Sequence, residues 1–522
     1  MTGGTGEGAA PEGASGVSGG AVAGAGDGGQ AGQAGLALGG AARHDVCPAP
    51  RAGGIDSAAP TPVPPLRPDR PLPPKPAARE GRVSLWRYVR LFRQDILSAQ
   101  PARLYRAWMA EFRTPFFRSF LINDPALLTE VLKARPLDFP KSSRVSEGLR
   151  PLLGDSVFLT NGGTWLRQRR IIDPAFEGGR LRESFAAMVA AGEAAVRRLA
   201  PLAGGPPVEI EEEASHAAAD VIFRTLFSIP ITHHTAAEVF SEFRAYQRSQ
   251  PILNLAAFLP LPRWLPRFHR AVTRRSARII RSRITHLTTE RMNAIQACRA
   301  PEDLATKIMT TPDPETGQIF TTAEMVDQVA IFFLAGHETS AAALGWALWL
   351  LAAFPEAQER AAAEAALLSP VPQFSEMSKL RFTRDVFREA LRLYTPVPML
   401  VRQAAKEETF RGRRVPKGAQ VVLSPWHLHR HERLWKNPDA FDPDRYATEA
   451  GKCSMREAFM PFSQGARVCP GAGFAMIEGP LLLAQILRRF RLATVADRTP
   501  EPVAHLTVRS RDGIWLRVMP RA

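Results

Sequence analysis

The sequence contains few cysteines, four in 522 residues. They stand at Cys47, Cys298, Cys453 and Cys469, too far apart to form the disulfide framework of a chain this long. Their scarcity favours a reducing compartment, so we expect a cytoplasmic protein. Their spacing also leaves no cluster of thiolates for an iron–sulfur centre.

The sequence also lacks a secretory signal, because residues 1–40 are mostly Gly, Ala and Ser, without a basic segment followed by an apolar one. One apolar run, residues 329–354, is long enough to cross a membrane. However, His337 and Glu338 lie near its middle, and no Lys or Arg cluster flanks it. We therefore predict a buried helix whose ionisable pair faces a cavity, and membrane contact that is at most peripheral.

Acidic residues are outnumbered, with 51 Asp and Glu against 67 Lys and Arg, a formal charge of +16. The first 82 residues contain seven of each sign, so the whole excess belongs to residues 83–522. A basic surface attracts an acidic protein, an anionic membrane or nucleic acid, or simply keeps the protein soluble. No recognisable nucleic-acid-binding motif accompanies the charge, so we predict no nucleic-acid partner.

Residues 1–82 are rich in Gly, Ala and, towards their end, Pro. Such a composition cannot bury enough apolar surface to offset the entropy of ordering, so we predict a disordered tail. Gly24, Gly26 and Gly29 have the spacing G-x-G-x-x-G, but no strand precedes them and no amphipathic helix follows. We reject a dinucleotide site there, and we predict one folded domain over residues 83–522.

Within residues 83–522 the pattern is mainly helical, with few and short strands. Residues 120–122 indicate a strand that ends in an Asn-Asp-Pro turn, followed by a helix over residues 126–134. A second strand is predicted at residues 420–424. The dipeptide Asp512-Gly513 predicts a hairpin that joins strands near Val508 and at residues 514–518. The fold class is therefore mainly α (α+β).

The most informative segment surrounds Cys469, which lies between Gly465 and Gly471 and just before a helical run at residues 472–490. A lone cysteine usually serves only packing. Here the sulfur is predicted on a tight loop at a helix N-terminus, where the helix dipole and free backbone N–H groups favour a thiolate.

This segment resembles the haem loop of the cytochrome P-450 family, F-x-x-G-x-R-x-C-x-G, at every fixed position. The resemblance implies that Cys469 is the metal ligand to the haem iron and that Arg467 pairs with a haem propionate. It also implies that Phe462 packs beside the sulfur and that Gly465 and Gly471 belong to the haem-binding loop. A thiolate ligand directs electron density to the iron and favours O–O cleavage.

A second segment, from Ala335 to Thr339, lies inside the apolar run. A glycine with an acid and a hydroxyl in mid-helix is a place where the hydrogen-bond ladder can open. The segment resembles the oxygen-binding groove of the family, formed here by Ala335 and Gly336. By that resemblance Thr339 hydrogen-bonds dioxygen and Glu338 supplies protons through water, whereas His337 is given no role.

Glu389 and Arg392 have the i, i+3 spacing of an ordinary surface ion pair. In the family such a pair joins a later arginine, here Arg445, in a buried network near the thiolate loop. We therefore expect these three residues to be structural rather than catalytic.

Trp165 and Arg169 share one face of a helix, and Arg402 follows a Pro-x-Pro segment. In the family, residues in these positions contact the haem propionates. Trp165, Arg169, Arg402 and Arg467 are thus expected to bind the two haem carboxylates.

The resemblance covers residue 82 to the C-terminus and implies the cytochrome P-450 fold, a helical domain with small β-sheets, of the soluble bacterial type. The implied cofactor is haem b (protohaem, Fe). The implied reaction is hydroxylation, in which one atom of O2 enters a hydrophobic organic substrate with electrons from a separate redox partner.

Two other functions are alternatives, a peroxide-driven peroxygenase and a haem sensor without turnover. Peroxygenases of the family characteristically lack the acid–alcohol pair, and a sensor needs no proton relay. Glu338 and Thr339 therefore favour the monooxygenase.

The apolar stretch of residues 252–265, which contains Phe258, lies where the family has its substrate-access lid. Core packing is the alternative interpretation. By resemblance, Phe158 lies near the haem on the opposing wall.

The domain leaves no room for a flavin or iron–sulfur module, so the electron donor must be another protein. The positive charge favours an acidic ferredoxin or flavodoxin that docks on the cysteine side of the haem. Arg167 and Arg170 are the candidate docking residues, with simple solvation as the alternative.

Overall fold

The computed structural model describes residues 71–81, 83–113, 118–177, 179–249 and 271–521. Most of the predicted tail, the rejected glycine motif and the predicted access lid with Phe258 lie outside these residues. The predictions for them remain predictions.

The described chain is mainly helical, as predicted. Its helices are α1 (Leu85–Gln94), α2 (Pro125–Thr129), α3 (Ser143–Leu153), α4 (Gly162–Ile172), α5 (Arg180–Glu183), α6 (Phe185–Leu199), α7 (Ile210–Phe227), α8 (His234–Ser249), α9 (Ala271–Gln296), α10 (Leu304–Thr310), α11 (Thr322–Ala353), α12 (Pro355–Ala366), α13 (Arg381–Leu393), α14 (Pro425–Leu428), α15 (Glu449–Ala458) and α16 (Ala472–Arg489).

Two helix starts show why the chain is helical where it is. Thr321 and Glu324 form a capping box at the start of α11, which satisfies backbone N–H groups that the helix leaves free. At α2, Asp124 accepts from the backbone of Ala126, and Pro125 occupies the first helical position. The helix predicted at residues 126–134 is confirmed, although its second half, Glu130–Ala134, is a π-helix.

The strands form four small sheets within the described residues. They are β1 (Met109–Arg113), β2 (Arg118–Ile122), β3 (Val208–Glu209), β4 (Leu400–Gln403), β5 (Glu408–Phe410), β6 (Arg413–Val415), β7 (Gln420–Leu423), β8 (Phe490–Thr494), β9 (Pro502–Ala504), β10 (Val508–Ser510) and β11 (Trp515–Pro520).

The largest sheet has the order β1-β2-β7-β4, and β3-β11-β8, β9-β10 and β5-β6 form the others. Strands β2 and β7 run parallel, with Ile122 opposite Leu423. The predicted strands at residues 120–122 and 420–424 are thus confirmed, and they pair with each other.

The predicted hairpin at Asp512-Gly513 is wrong. Strand β10 pairs with β9, with Val508 opposite Ala504, whereas β11 pairs with β8 and β3. Gly513 does adopt a left-handed φ of 78°. The turn at Gly513 leads the chain from one sheet into another, because β10 pairs with β9 whereas β11 pairs with β8 and β3.

Helix α11 lies at the centre of the domain, where it packs against α7, α9, α13 and α16. The predicted buried helix at residues 329–354 is thereby confirmed. Gly336 allows the close approach of α7, because a Cβ there would lie 2.4 Å from Ile222 Cδ1. Among the described helices none alone is long and apolar enough to span a membrane; α11 and α12 satisfy that test only together, bent by 115°.

Residues 71–81 pack against the domain although the sequence analysis assigned them to the tail. The Arg79 backbone N–H donates to Gln100 O at 3.2 Å, and Ala102 N–H donates to Arg79 O at 2.9 Å. The buried Tyr394 hydroxyl donates to Pro74 O at 2.9 Å. The folded domain therefore begins before residue 83, because the carbonyls of this proline-rich stretch accept hydrogen bonds that its composition does not reveal.

The predicted network of Glu389, Arg392 and Arg445 is confirmed. Glu389 Oε1 lies 2.8 Å from Arg392 Nη2 and 2.9 Å from Arg445 Nε, and the Tyr446 hydroxyl donates to Oε2 at 2.9 Å. Burial alone would raise the pKa of Glu389, but Arg392 and Arg445 outweigh it and lower this pKa to about 2. The carboxylate therefore stays charged and holds two arginines inside the domain.

We expect Glu389→Ala to destabilise the protein by about 3–5 kcal/mol, because it leaves two buried arginines without their counter-charge. The matched control is Asp444→Ala. Asp444 pairs with Arg360 at 2.8 Å, but the two side chains are 61% and 53% exposed, so its loss should cost at most about 1 kcal/mol. Denaturant unfolding measures both changes, and equal losses would contradict the structural role of Glu389.

Candidate functional site

A cavity of about 2780 Å³ lies beside α11. Ala335, Gly336, Glu338 and Thr339 line it from α11, and the loop that carries Cys469 lines it from another side. The two segments that the sequence analysis selected for chemistry therefore border one space. The volume is sufficient for a large flat cofactor together with an organic substrate.

The loop before α16 is held by its own backbone. The Cys469 N–H donates to Phe462 O at 2.9 Å, and the Val468 N–H donates to Gly465 O at 3.0 Å. Gly465 has a φ of 69°, and a Cβ there would lie 2.1 Å from Leu132 O, so no other residue fits. Gly465 shapes the loop without lining the cavity, whereas Phe462, Cys469 and Gly471 line it.

The electrostatics of Cys469 differ from the prediction that its helix N-terminus favours a thiolate. Burial raises the pKa of the Cys469 thiol above its ordinary value, and the Gly471 backbone N–H and Arg169 offset this only in part. The predicted stabilising groups are present, but desolvation outweighs them. A bound cation would reverse the balance, because metal coordination deprotonates a thiol.

Five side chains meet at one end of the cavity. Arg467 stacks on Trp165 with its guanidinium 4.8 Å from the ring centre, and Lys141 lies 5.7 Å from the same ring. Arg402, on β4, and Arg169, on α4, are close enough to repel the Lys141 charge. The structure thus brings together Trp165, Arg169, Arg402 and Arg467, as predicted, and adds Lys141, which the sequence analysis missed.

These cations have little counter-charge. Burial lowers the pKa of Arg402 and of Arg467 to about 10. Burial is also the largest cause of the lowered pKa of Lys141, and the positive charges of the neighbouring arginines lower it further. Within the described residues only Arg169 pairs with a carboxylate, Asp173, at 2.8 Å. Within the same described residues, the buried Nε of Arg467 has no hydrogen-bond partner.

The cluster therefore suits a ligand that brings negative charge into the cavity. Haem has a flat macrocycle, two carboxylates and an iron that accepts a thiolate. The cationic end, the volume of the cavity and the cavity-facing sulfur of Cys469 fit these three features. The residues present thus fit haem.

Thr339 and Glu338 both border the cavity but are held differently. The Thr339 hydroxyl donates to Ala335 O, one turn back, at 2.6 Å. The Glu338 carboxylate accepts from Thr507 Oγ1 at 2.7 Å and lies 3.3 Å from Arg509 Nη2. The acid is therefore positioned by Thr507, in the segment that connects β9 and β10, and by Arg509 in β10.

His337 does not face the cavity with Glu338, so the prediction of an ionisable pair facing it is half wrong. His337 is fully buried, and its Nε2 lies 2.7 Å from Ser215 Oγ on α7. Burial lowers the pKa of His337 to about 3, so the ring is neutral near pH 7. Adjacent helix positions point about 100° apart, which places the two side chains on different faces.

A second acid, Glu478, lines the cavity and was not predicted from the sequence. Glu478 is buried on α16 and accepts from Ser340 Oγ at 3.0 Å, while its Oε1 has no partner among the described residues. Burial raises the pKa of Glu478 to about 8, so the acid is mostly protonated at neutral pH. A single acid within an otherwise apolar helical run was the available signal.

The cavity wall is partly apolar. Val145, Phe158 and Leu506 are exposed hydrophobic residues, and all three line the cavity. The structure thus places Phe158 on the wall, as the sequence analysis expected.

The predicted docking residues Arg167 and Arg170 do not serve as a free surface. Arg167 pairs with Glu324 at 2.6 Å, and Arg170 pairs with the fully buried Asp313 at 2.5 Å. Arg170 thereby joins α4 to the segment that leads into α11, and Arg167 joins α4 to the first turn of α11. Their prediction was wrong because acids more than 140 residues away neutralise them.

A helical domain with a cysteine loop facing a cavity and a cationic cluster at its edge fits the class of haem-thiolate proteins. The sequence profile of the family described as cytochrome P450 matches residues 109–516. The chain therefore belongs to the cytochrome P450 family, and it is a haem-dependent monooxygenase.

Curated relatives agree with this membership. Cyclooctat-9-en-7-ol 5-monooxygenase of Streptomyces melanosporofaciens is 32% identical over 80% of this chain and 88% of its own length. Cytochrome P450 4A11 of Homo sapiens is 32% identical over 73% and 76%. Taurochenodeoxycholic 6 alpha-hydroxylase of Sus scrofa is 31% identical over 76% and 81%. Membership implies a haem-iron cofactor, O2, a redox partner and a hydrophobic substrate.

Proposed function

We propose that this enzyme hydroxylates a hydrophobic substrate with the help of protohaem, whose iron the Cys469 thiolate would hold. One observation carries this proposal: the sulfur of Cys469 faces the same cavity as a cluster of buried cations that has little counter-charge. The named reactions of two relatives, a monooxygenase of cyclooctat-9-en-7-ol and a taurochenodeoxycholic hydroxylase, support hydroxylation. A cytoplasmic location with at most peripheral membrane contact stays a prediction from the sequence.

When bound, haem supplies the activation of O2, and the protein supplies binding, orientation and proton delivery. In this proposal Arg402, Arg467, Lys141 and Arg169 bind the two carboxylates, and Trp165 holds the Arg467 guanidinium in place. Charge-assisted hydrogen bonds of this kind fix orientation as well as affinity. The apolar wall with Phe158 then excludes water from the space between Thr339 and the substrate.

Proton delivery falls to Glu338 and Thr339. Glu338 is held at the cavity by Thr507, and its carboxylate can take a proton from water and release it towards the cavity. The Thr339 hydroxyl donates to Ala335 O at rest, and rotation about its side chain aims the same proton into the cavity. A peroxygenase or a sensor gains nothing from such a pair, so the monooxygenase is preferred.

The ligand assignment predicts that reduced protein with carbon monoxide shows the strongly red-shifted Soret band of a thiolate-ligated haem, and that Cys469→Ala abolishes it. The control is Cys298→Ala, because Cys298 is a free, exposed cysteine. Visible spectroscopy of both variants, at matched haem content, measures the effect. A red-shifted band that survives in Cys469→Ala would remove this cysteine from the site.

The relay predicts that Thr339→Ala keeps haem and substrate binding but loses coupling, so that reducing equivalents appear mainly as hydrogen peroxide. Thr339→Ser keeps the hydroxyl and should retain coupling. Glu338→Gln should slow turnover by about 10²-fold or more, the usual contribution of a positioned proton donor. Product and peroxide per electron consumed are the readouts, and unchanged coupling in Thr339→Ala would rule out its role.

We propose an acidic ferredoxin or flavodoxin as the electron donor, docked beside the Cys469 loop. Val468, next to the ligand, is 37% exposed. Lys133 lies against Gly465, and Leu181, the neighbour of Arg182, lies against Gly473, so both cations flank the loop. Both side chains are exposed, and neither has an ion pair within the described residues. They replace Arg167 and Arg170 as the docking candidates.

Reversing both charges, Lys133→Glu with Arg182→Glu, should slow reduction by an acidic ferredoxin at least about tenfold, because electrostatic steering raises association rates by that much or more. The matched control, Arg274→Glu with Arg275→Glu, changes the charge equally on the exposed face of α9, which packs away from the loop. Stopped-flow reduction at several salt concentrations measures the rates. Equal slowing in both double variants would contradict docking at this loop.

A further inference from the structure

The cavity lining is positive well beyond the cluster assigned to the haem carboxylates. Apart from that cluster, eight arginines line the cavity against three glutamates. A fourth acid, Glu478, is mostly neutral near pH 7 because burial raises its pKa to about 8. The arginines are Arg79, Arg93, Arg103, Arg113, Arg144, Arg413, Arg509 and Arg511, and the glutamates are Glu80, Glu111 and Glu338.

The excess of positive charge is concentrated around the carboxylate of Glu111, on the β1–β2 hairpin. Glu111 lies 2.7 Å from Arg113 Nε, 2.6 Å from Arg118 Nη2 and 3.6 Å from Arg413 Nη1. These guanidinium groups keep the pKa of Glu111 below its ordinary value, with the Arg113 hydrogen bond as the largest cause. Among the described residues, the one negative charge of Glu111 is thus shared by three positive charges.

Two of the three arginines have donors to spare. Arg113 and Arg413 are 72% and 63% exposed, and both line the cavity, whereas Arg118 is 31% exposed and does not. A guanidinium has five N–H donors, so one shared carboxylate leaves most of them for another partner. In the sequence, residues 114–117 between β1 and β2 are Thr, Pro, Phe and Phe, and none of them is acidic.

The other two lining glutamates are Glu80 and Glu338, and Glu338 is paired with Arg509. The wall also offers apolar surface. Phe112, next to Arg113, lines the cavity, as do Val145 and Phe158. The cavity therefore combines a positive patch with apolar walls. A molecule that complements both parts has an apolar body and an anionic end.

We propose that the substrate is an apolar acid, whose carboxylate or sulfonate binds Arg113 and Arg413 while its apolar body lies along the cavity wall. This inference rests on the proposed function, because it concerns the substrate of the same cavity. The two arginines determine specificity and take no part in the chemistry.

The test uses the haem-loaded protein and two pairs of probes, dodecanoic acid with dodecanol and cholanic acid with cholanol. Each pair shares an apolar body and differs in the anionic end. The shift of the Soret band on displacement of water measures the dissociation constant. In at least one pair the acid should bind about tenfold or more tightly than its alcohol, the effect of one charge-assisted hydrogen bond, and salt should weaken the acid alone.

Variants test whether Arg113 and Arg413 cause the preference for the acid. Arg113→Gln with Arg413→Gln should remove the preference for the acid and leave the alcohol unchanged. Glu111→Gln should tighten binding of the acid, because it frees the arginines from their carboxylate. The matched control is Arg197→Gln, since Arg197 is 69% exposed, pairs with Glu193 at 3.8 Å and does not line the cavity.

The outcomes separate this inference from the proposed function. If neither acid binds more tightly than its alcohol, including the case in which no probe shifts the band, the anionic anchor is wrong. The same holds if the preference survives in the double variant. Failure of the proposed function would instead appear as the loss of the thiolate signature in the unaltered enzyme, which these titrations do not affect.

Discussion

The structure depends on a charge imbalance at one end of the cavity. Lys141, Arg402 and Arg467 come from three separate parts of the chain and meet without a carboxylate among the described residues. Burying a charge without a partner is expensive, and the lowered pKa values of all three residues reflect that cost. A ligand that supplies negative charge would offset this cost, and in the proposed function the two carboxylates of haem would do so.

The other contacts hold the two sides of this site in place. Helix α11 is fixed at its start by the Thr321 capping box and in its middle by the close approach of α7 at Gly336. On the opposite side, Glu389 joins α13 to the segment containing Arg445, and Gly465 sets the loop against Leu132. The Cys469 thiol and the cluster of buried cations border the same cavity, where the proposed haem would meet both through its iron and its carboxylates.

The sequence predicted the parts of this site that local pattern encodes. The spacing around Cys469 and the pair Glu389 and Arg392 are short motifs, and the structure places them as expected. Lys141 was missed because nothing in its neighbouring residues distinguishes it, and only tertiary packing brings it to the cavity. Glu478 stands out as a single acid in an apolar run, but the run alone does not show that its side chain lines the cavity. The same limit explains Arg167, whose partner Glu324 lies 157 residues away. It also explains β10, whose partner is chosen by the buried faces of the strands rather than by the Asp512-Gly513 turn.

The account is tested most directly by comparing haem with its dimethyl ester, in which both carboxylates are blocked and the macrocycle and iron are unchanged. Protein freed of haem is titrated with each, and binding is followed by the Soret band and by thermal unfolding. If the buried cations require the two negative charges, haem binds and stabilises the fold, and the ester binds at least about a hundredfold more weakly. Equal affinity and equal stabilisation would show that the cationic cluster does not hold the cofactor.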